Sequence, residues 1–282
     1  MNFLEQVREK RKNLKDVLFD EDYSGLREFL EELYPDSAHF IYELLQNAED
    51  AGATHAGFVL ESDQLVFEHN GRAFDDNDIW AITNIGKGTK KNDPDKIGKF
   101  GIGFKAVFGY TETPRIWSPG YSFEIQSLVL PYELTKKAEL GKTTRFEFPF
   151  DSEKKPAEQA YAEIKAGLNE ISPTTLLFLR KISHITWKTD ADSNTELSRK
   201  EISEHHVQIV RKAENNRSCF EFLRFTAPVE GLTNQYVAIA FELEKVKAPK
   251  KQKPQKKGAM SQNYKIVPAN PGMVAIYFPA KK

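Results

Sequence analysis

Glu43, Asn47 and Asp50, in the segment FIYELLQNAED, carry oxygen atoms that can accept a proton or hold a hard cation. On an α-helix, at about 100° per residue, the three fall within an arc of about 60° and share one face. Ile41, Leu44, Leu45, Ala48 and Ala51 gather on another side, so the helix buries one stripe and turns two carboxylates and an amide into a common space. Taken alone, a solvent-facing helix would show the same residues. The segment IGKFGIGFKAVF adds a second element, because Gly101 and Gly103 stand where a loop enters a helix. Glycines there let a ligand approach the backbone, and the free N–H groups of a helix start favour an anion such as phosphate. Lys99 and Lys105 add positive charge. The spacing G-x-x-G-x-G is neither the dinucleotide fingerprint nor a P-loop.

Four segments in this order, ELLQNAEDAGA, HNGRAF, IGKFGIGFKAVF and GKTTRFEF, resemble the nucleotide-site motifs of the GHKL ATPases. That superfamily includes gyrase, the ninety-kilodalton heat-shock chaperone, histidine kinases and MutL. The first and third segments look most like the chaperone and, nearer still, the N-terminal ATPase-like domains of sacsin and its bacterial relatives. The resemblance covers about residues 36 to 150. It implies ATP and magnesium as cofactors and an α+β fold, the left-handed β-α-β (Bergerat) sandwich. In that fold ATP lies between an antiparallel sheet and helices, under a lid.

Carried over by this resemblance, Glu43 is the general base that activates water, Asn47 the magnesium ligand and Asp50 a polar residue supporting the site. Gly98, Lys99, Gly101, Ile102, Gly103 and Phe104 match the segment that wraps the phosphates. Thr144, with Thr143 one register away, matches the threonine at the adenine end. Residues 84–97 match the lid, from which Lys87, Thr89, Lys90, Lys91 and Lys96 can fold over a triphosphate. The second motif departs from the pattern. Where the family has an Asp that accepts from the adenine amino group, this chain has His69, followed by Asn70, Gly71, Arg72 and Ala73. A neutral His69 accepting through one ring nitrogen, or Asn70 through its amide oxygen, is the expected replacement.

The elements that position these residues are legible as periodicities. Phe3, Leu4, Val7, Leu14 and Leu18, then Leu26, Phe29, Leu30 and Leu33, recur at helical spacing. Asp36 or Ser37 is suited to cap the helix that ends at Gly52. HAGFVLE and QLVFEH read as a hairpin, DDNDIWAIT as a capped short helix, and RIWSP, YSFEIQSLVL and TRFEFPF as strands. Helices AEQAYAEIKAGLNE and PTTLLFLRKI follow, then strands HITWKT, HVQIVRK, SCFEFLRFTA, YVAIAFELE and GMVAIYFPA. Without strict βαβ alternation the class is α+β. The expected division is an ATP-binding domain at 1–150 and, at 151–282, an α+β extension or the start of a transducer.

Composition bounds the partners. The chain has 282 residues, 40 Lys+Arg against 41 Asp+Glu, and a net charge of −1, which excludes a wholly basic nucleic-acid binder. No apolar run approaches the roughly 18 residues of a membrane helix, and the N-terminus lacks a signal-peptide stretch, so a cytoplasmic location is expected. One cysteine, Cys219, excludes a disulfide framework and reads as a small buried residue. Residues 245–257 hold seven Lys and two Pro, which suits a solvated loop or a polybasic contact to nucleic acid. The amphipathic N-terminal helices suggest packing between subunits of a homodimer, and the abrupt end after PAKK suggests further C-terminal domains. The expected function is slow ATP hydrolysis coupled to lid closure. A nucleotide sensor without turnover and a nucleic-acid-associated ATPase are the alternatives.

Overall fold

The computed structural model describes residues 1–23, 25, 39–85, 103–189, 193–214, 216–230, 236–246 and 264–267. The expected Asp36 or Ser37 cap, most of the lid, Gly98 to Ile102, most of the lysine-rich loop and the GMVAIYFPA segment lie outside them.

The hairpin read from HAGFVLE and QLVFEH forms β1 (His55–Leu60) and β2 (Gln64–His69), paired antiparallel. On the other side of β2 lies β6 (Thr144–Pro149), also antiparallel, and beyond it β3 (Arg115–Ser118), β4 (Tyr121–Gln126) and β5 (Leu130–Glu133). YSFEIQSLVL is therefore two strands, broken at Ser127 and Leu128, which both have positive φ although neither is glycine. From the other side of β1, β7 (His184–Lys188) pairs parallel to it. The sheet continues antiparallel through β8 (Asn194–Glu201), β9 (His206–Ala213), β10 (Asn216–Pro228), β11 (Tyr236–Lys245) and β12 (Tyr264–Ile266). Among the described residues all twelve strands belong to one sheet, which runs without a break across residue 150.

Residues directly opposite in an antiparallel ladder point to the same face. Leu65, Phe67 and His69 of β2 stand opposite Phe148, Phe146 and Thr144 of β6, and all six are buried. Helix α2 (Phe40–Asp50) and the 3-10 turn Gly103–Gly109 cover this face. The Phe40 ring sits 6.1 Å from Phe148, and the Phe104 ring 6.2 Å from Phe146 and 6.3 Å from Phe148. The other face of the same strands carries Glu68, Arg145 and Glu147, tied by ion pairs such as Arg145 to Glu68 at 2.5 Å. The face under α2 is apolar, whereas the opposite face is charged and partly covered, with Val66 and Glu147 also buried there.

Helix α1 (Phe3–Leu18) starts with an Asn2 capping box and packs beside β5 and helix α3 (Asp76–Ile82). Phe3 meets Trp80 edge-on at 6.2 Å, and the Arg11 guanidinium lies 4.9 Å over the same indole while donating to the Trp80 carbonyl oxygen. The expected capped helix in DDNDIWAIT is α3, opened by a capping box between Asp75 and Asp78. Helices α4 (Ala157–Asn169) and α5 (Pro173–Phe178) follow. The Arg199 side chain donates to the Leu176 carbonyl oxygen of α5 and to those of Leu179 and Arg180 just after it, fixing this end to β8.

Candidate active site

Helix α2 ends as the sequence suggested: Ala51 is its C-cap, and Gly52 takes φ +76°, the left-handed conformation that glycine adopts without strain. Glu43, Asn47 and Asp50 are half-buried on its polar side, whereas Ile41, Leu44, Leu45 and Ala48 are at most 1% exposed. The glycine segment comes directly against this polar side. A Cβ built on Gly103 would lie 2.0 Å from Glu43 Oε2 and 2.4 Å from its Cδ, so only a glycine backbone fits against that carboxylate. The first and third motifs thus meet at Glu43 and Gly103. Phe104, next in the chain, turns into the aromatic core instead.

The second and fourth motifs meet one layer away. His69 is paired with Thr144 across the β2–β6 ladder, and both are buried. Thr144 Oγ1 lies 2.9 Å from Ser118 Oγ, which also accepts the Phe74 N–H at 3.0 Å. Gly71 packs on the end of α2, where an added Cβ would come within 2.9 Å of both Cβ and O of Ala51, and the Arg72 N–H donates to the Ala51 carbonyl oxygen at 2.8 Å. The Arg72 guanidinium is paired with both oxygens of Asp78, at 2.5 and 2.8 Å, and feels the field of Asp50. This arginine and the Asp75–Asp78 box tie the second motif to α3.

Three residues differ from expectation. Asn70 does not offer its amide oxygen to a ligand: Oδ1 already accepts the N–H groups of Thr54 and His55, both at 2.9 Å, and Nδ2 donates to Thr54 Oγ1. It braces the loop between α2 and β1. His69 does not present an acceptor on Nδ1, because that atom accepts the Gly71 N–H at 3.1 Å. Its burial, with the Arg72 charge adding to it, lowers its pKa to about 4 and keeps the ring neutral at physiological pH. Lys105 contributes no charge to a phosphate cradle. Fully buried, it donates to the carbonyl oxygens of Ile82 at 2.7 Å and Leu128 at 2.5 Å, and burial together with the Arg11 charge pulls its pKa down to about 7. Leu128 is one of the two positive-φ residues of the β4–β5 turn, so Lys105 clamps that strained turn to the end of α3.

The sequence reading missed Glu49. Its buried carboxylate accepts the consecutive N–H groups of Arg180, Lys181 and Ile182 at 2.9, 2.7 and 2.9 Å, and so anchors α2 to the chain entering β7. Its only sequence signal is the polar residue standing on the apolar side of the helix. Glu49→Ala leaves three N–H groups without that acceptor and is expected to cost roughly 3 kcal/mol or more of stability in denaturant unfolding, with Glu49→Gln recovering part of it.

Lys87, Thr89, Gly98, Lys99, Gly101 and Ile102 lie outside the described residues. Cys219, expected to be buried, is exposed beside Glu221. Trp117 and Trp187 are core residues. Among the described residues no group of three or more His, Cys, Asp or Glu side chains is placed to hold a metal by itself. Also among them, no helix is long and apolar enough to cross a membrane.

Comparison with known proteins bears on the same region. The Sacsin domain family model matches residues 64–130, from the start of β2 through Gly103–Gly109 to the first residue of β5. The protein NO VEIN of Arabidopsis thaliana is 28% identical over 247 residues, covering 76% of this chain and 9% of its own length. Human sacsin is 33% identical over 120 residues, covering 36% of this chain and 3% of its own length. The chain spans less than a tenth of either relative. Residues 64–130 are thus similar to the Sacsin domain, and the chain is similar to one small part of two much larger proteins, sacsin and NO VEIN.

Proposed function

We propose that this chain is the nucleotide-binding domain of a larger cytoplasmic protein, which binds a purine nucleoside triphosphate with magnesium and hydrolyses it slowly as a conformational switch. ATP is the nucleotide that the resemblance to GHKL ATPases implies. The observation that carries the reading is the contact between Gly103 and the Glu43 carboxylate, beside the pairing of His69 with Thr144. Four motifs that are separate in sequence converge in two adjoining pairs at one end of a covered sheet face.

In this reading the Glu43 carboxylate takes a proton from the attacking water, and the Gly103 backbone limits where that carboxylate can stand. Asn47, one turn along α2, offers an amide oxygen of the kind a hard cation accepts. A single protein oxygen suits magnesium, which commonly takes its remaining ligands from phosphates and water. When bound, the ion neutralises developing phosphate charge. Residues 84–97 would close over the triphosphate, and hydrolysis would release them.

The test is calorimetric titration of the full chain with a non-hydrolysable ATP analogue, with and without magnesium. Magnesium is expected to tighten binding at least ~10-fold in the parent and to have little effect in Asn47→Ala. Equal affinities with and without the ion in the parent would remove Asn47 from this role. Binding without single-turnover hydrolysis would instead make the domain a sensor.

A further inference from the structure

The base end of the site carries an inference that rests on the nucleotide reading and sharpens it. Because Gly71 N–H donates to Nδ1 of His69, Nδ1 must be the unprotonated ring nitrogen. In a neutral imidazole the single proton is then on Nε2. The ring is neutral because it is 5% exposed, lies 5.9 Å from the Phe67 ring and 6.1 Å from Phe146, and faces the Arg72 charge. The bond from Gly71 is the one hydrogen bond of the ring among the described residues, so Nε2 is unpartnered there, and it is not one of the fully enclosed unpaired atoms, which leaves it open to a ligand. A nine-tenths-buried side chain thus holds one polar atom that its own fold leaves unused, at the position where the resembling family reads the base. Asn70, the other candidate reader, is fully engaged with Thr54 and His55.

We propose that His69 presents a hydrogen-bond donor, Nε2–H, to the nucleotide base, and that the site therefore favours a 6-oxopurine triphosphate over ATP. An Asp at this position is an acceptor and matches the amino group at C6 of adenine. A fixed N–H donor faces that amino group donor to donor, and both lose water without gaining a bond. Hypoxanthine and guanine carry a carbonyl oxygen at C6, which accepts from Nε2–H. The tautomer cannot switch to suit adenine without breaking the Gly71 N–H bond that holds the turn.

Competition of ITP, GTP and ATP against a triphosphate labelled on its ribose, with the full chain and magnesium at pH 7, tests the proposal. ITP is the cleaner probe because it differs from ATP only around C6 and N1. The parent is expected to bind ITP at least ~10-fold tighter than ATP, with purine riboside triphosphate, which lacks the C6 substituent, between them. His69→Asp should reverse the order, and His69→Ala should remove the preference. The parent comparison needs no variant, so a misfolded His69→Asp leaves it decisive. ATP binding tighter than ITP in the parent overturns the proposal, as does an ITP to ATP ratio unchanged in His69→Ala. Failure of every triphosphate to displace the label would overturn the nucleotide reading itself and this inference with it.

Discussion

Glu43→Ala is expected to reduce single-turnover nucleotide hydrolysis by at least ~100-fold, toward the uncatalysed rate, while changing triphosphate affinity only a few-fold. General-base catalysis by a positioned carboxylate contributes about 10²- to 10⁴-fold, and that contribution is made in the transition state rather than in the bound ground state. The substitution also spares the fold. Glu43 is half-buried on the polar side of α2, and the stripe that holds the helix to the sheet is Ile41, Leu44, Leu45 and Ala48 on another side. Alanine is a strong helix former, so α2 itself is not weakened. Rapid-quench measurement of product from the bound nucleotide, beside equilibrium binding of the non-hydrolysable analogue, separates the two quantities. Hydrolysis at the parental rate would show that the base is elsewhere, and a large loss of binding would make Glu43 a ligand-holding group instead.

The residues that the sequence made legible are those whose signals are local. The 3.6-residue period gave α2 its buried stripe and its polar face, and Gly52 marked its end. Alternation and length gave β1, β2 and β6. Asp75 announced α3 through a capping box. What the sequence left hidden depends on distant partners. The parallel pairing of β7 with β1, which makes one sheet of both halves of the chain, leaves no trace in either strand. The break inside YSFEIQSLVL was invisible because its turn residues, Ser127 and Leu128, are neither Gly nor Pro, and the Lys105 clamp that supports Leu128 comes from another element. NTELSRKE does not read as a strand, because charged residues occupy much of it, yet β8 is hydrogen-bonded on both sides and buries Leu197. At the site itself, the motif positions of Glu43, His69 and Thr144 could be read, but the proton on His69 could not. Which ring nitrogen carries it is decided by the Gly71 N–H, a bond that exists only once the turn has formed.

Gly103→Ala is expected to impair hydrolysis nearly as much as losing Glu43, through Glu43 and not through the fold. The added methyl would stand 2.0 Å from Glu43 Oε2, 2.4 Å from Cδ and 3.0 Å from Cγ, far inside van der Waals contact, so one partner must move. The atoms it meets are the end of a flexible side chain, whereas at Gly71 an added Cβ would meet the backbone oxygen and Cβ of Ala51. The carboxylate therefore swings away from Gly103 while α2 and the 3-10 turn stay in place. Phe104, Val107 and Phe108 hold that turn in the core. Thermal stability is expected to fall by only a few degrees, whereas single-turnover hydrolysis falls by ~30-fold or more, because a base displaced by an ångström or two no longer reaches its water. The double variant Glu43→Ala with Gly103→Ala gives the sharper measurement. If Gly103 acts by positioning the carboxylate, adding its substitution to Glu43→Ala costs nothing further, since there is no longer a side chain to displace. If the glycine serves only the approach of phosphate to the backbone, the two losses multiply and the weaker binding of the analogue shows it, and the contact between Gly103 and Glu43 would then be packing without a part in the chemistry.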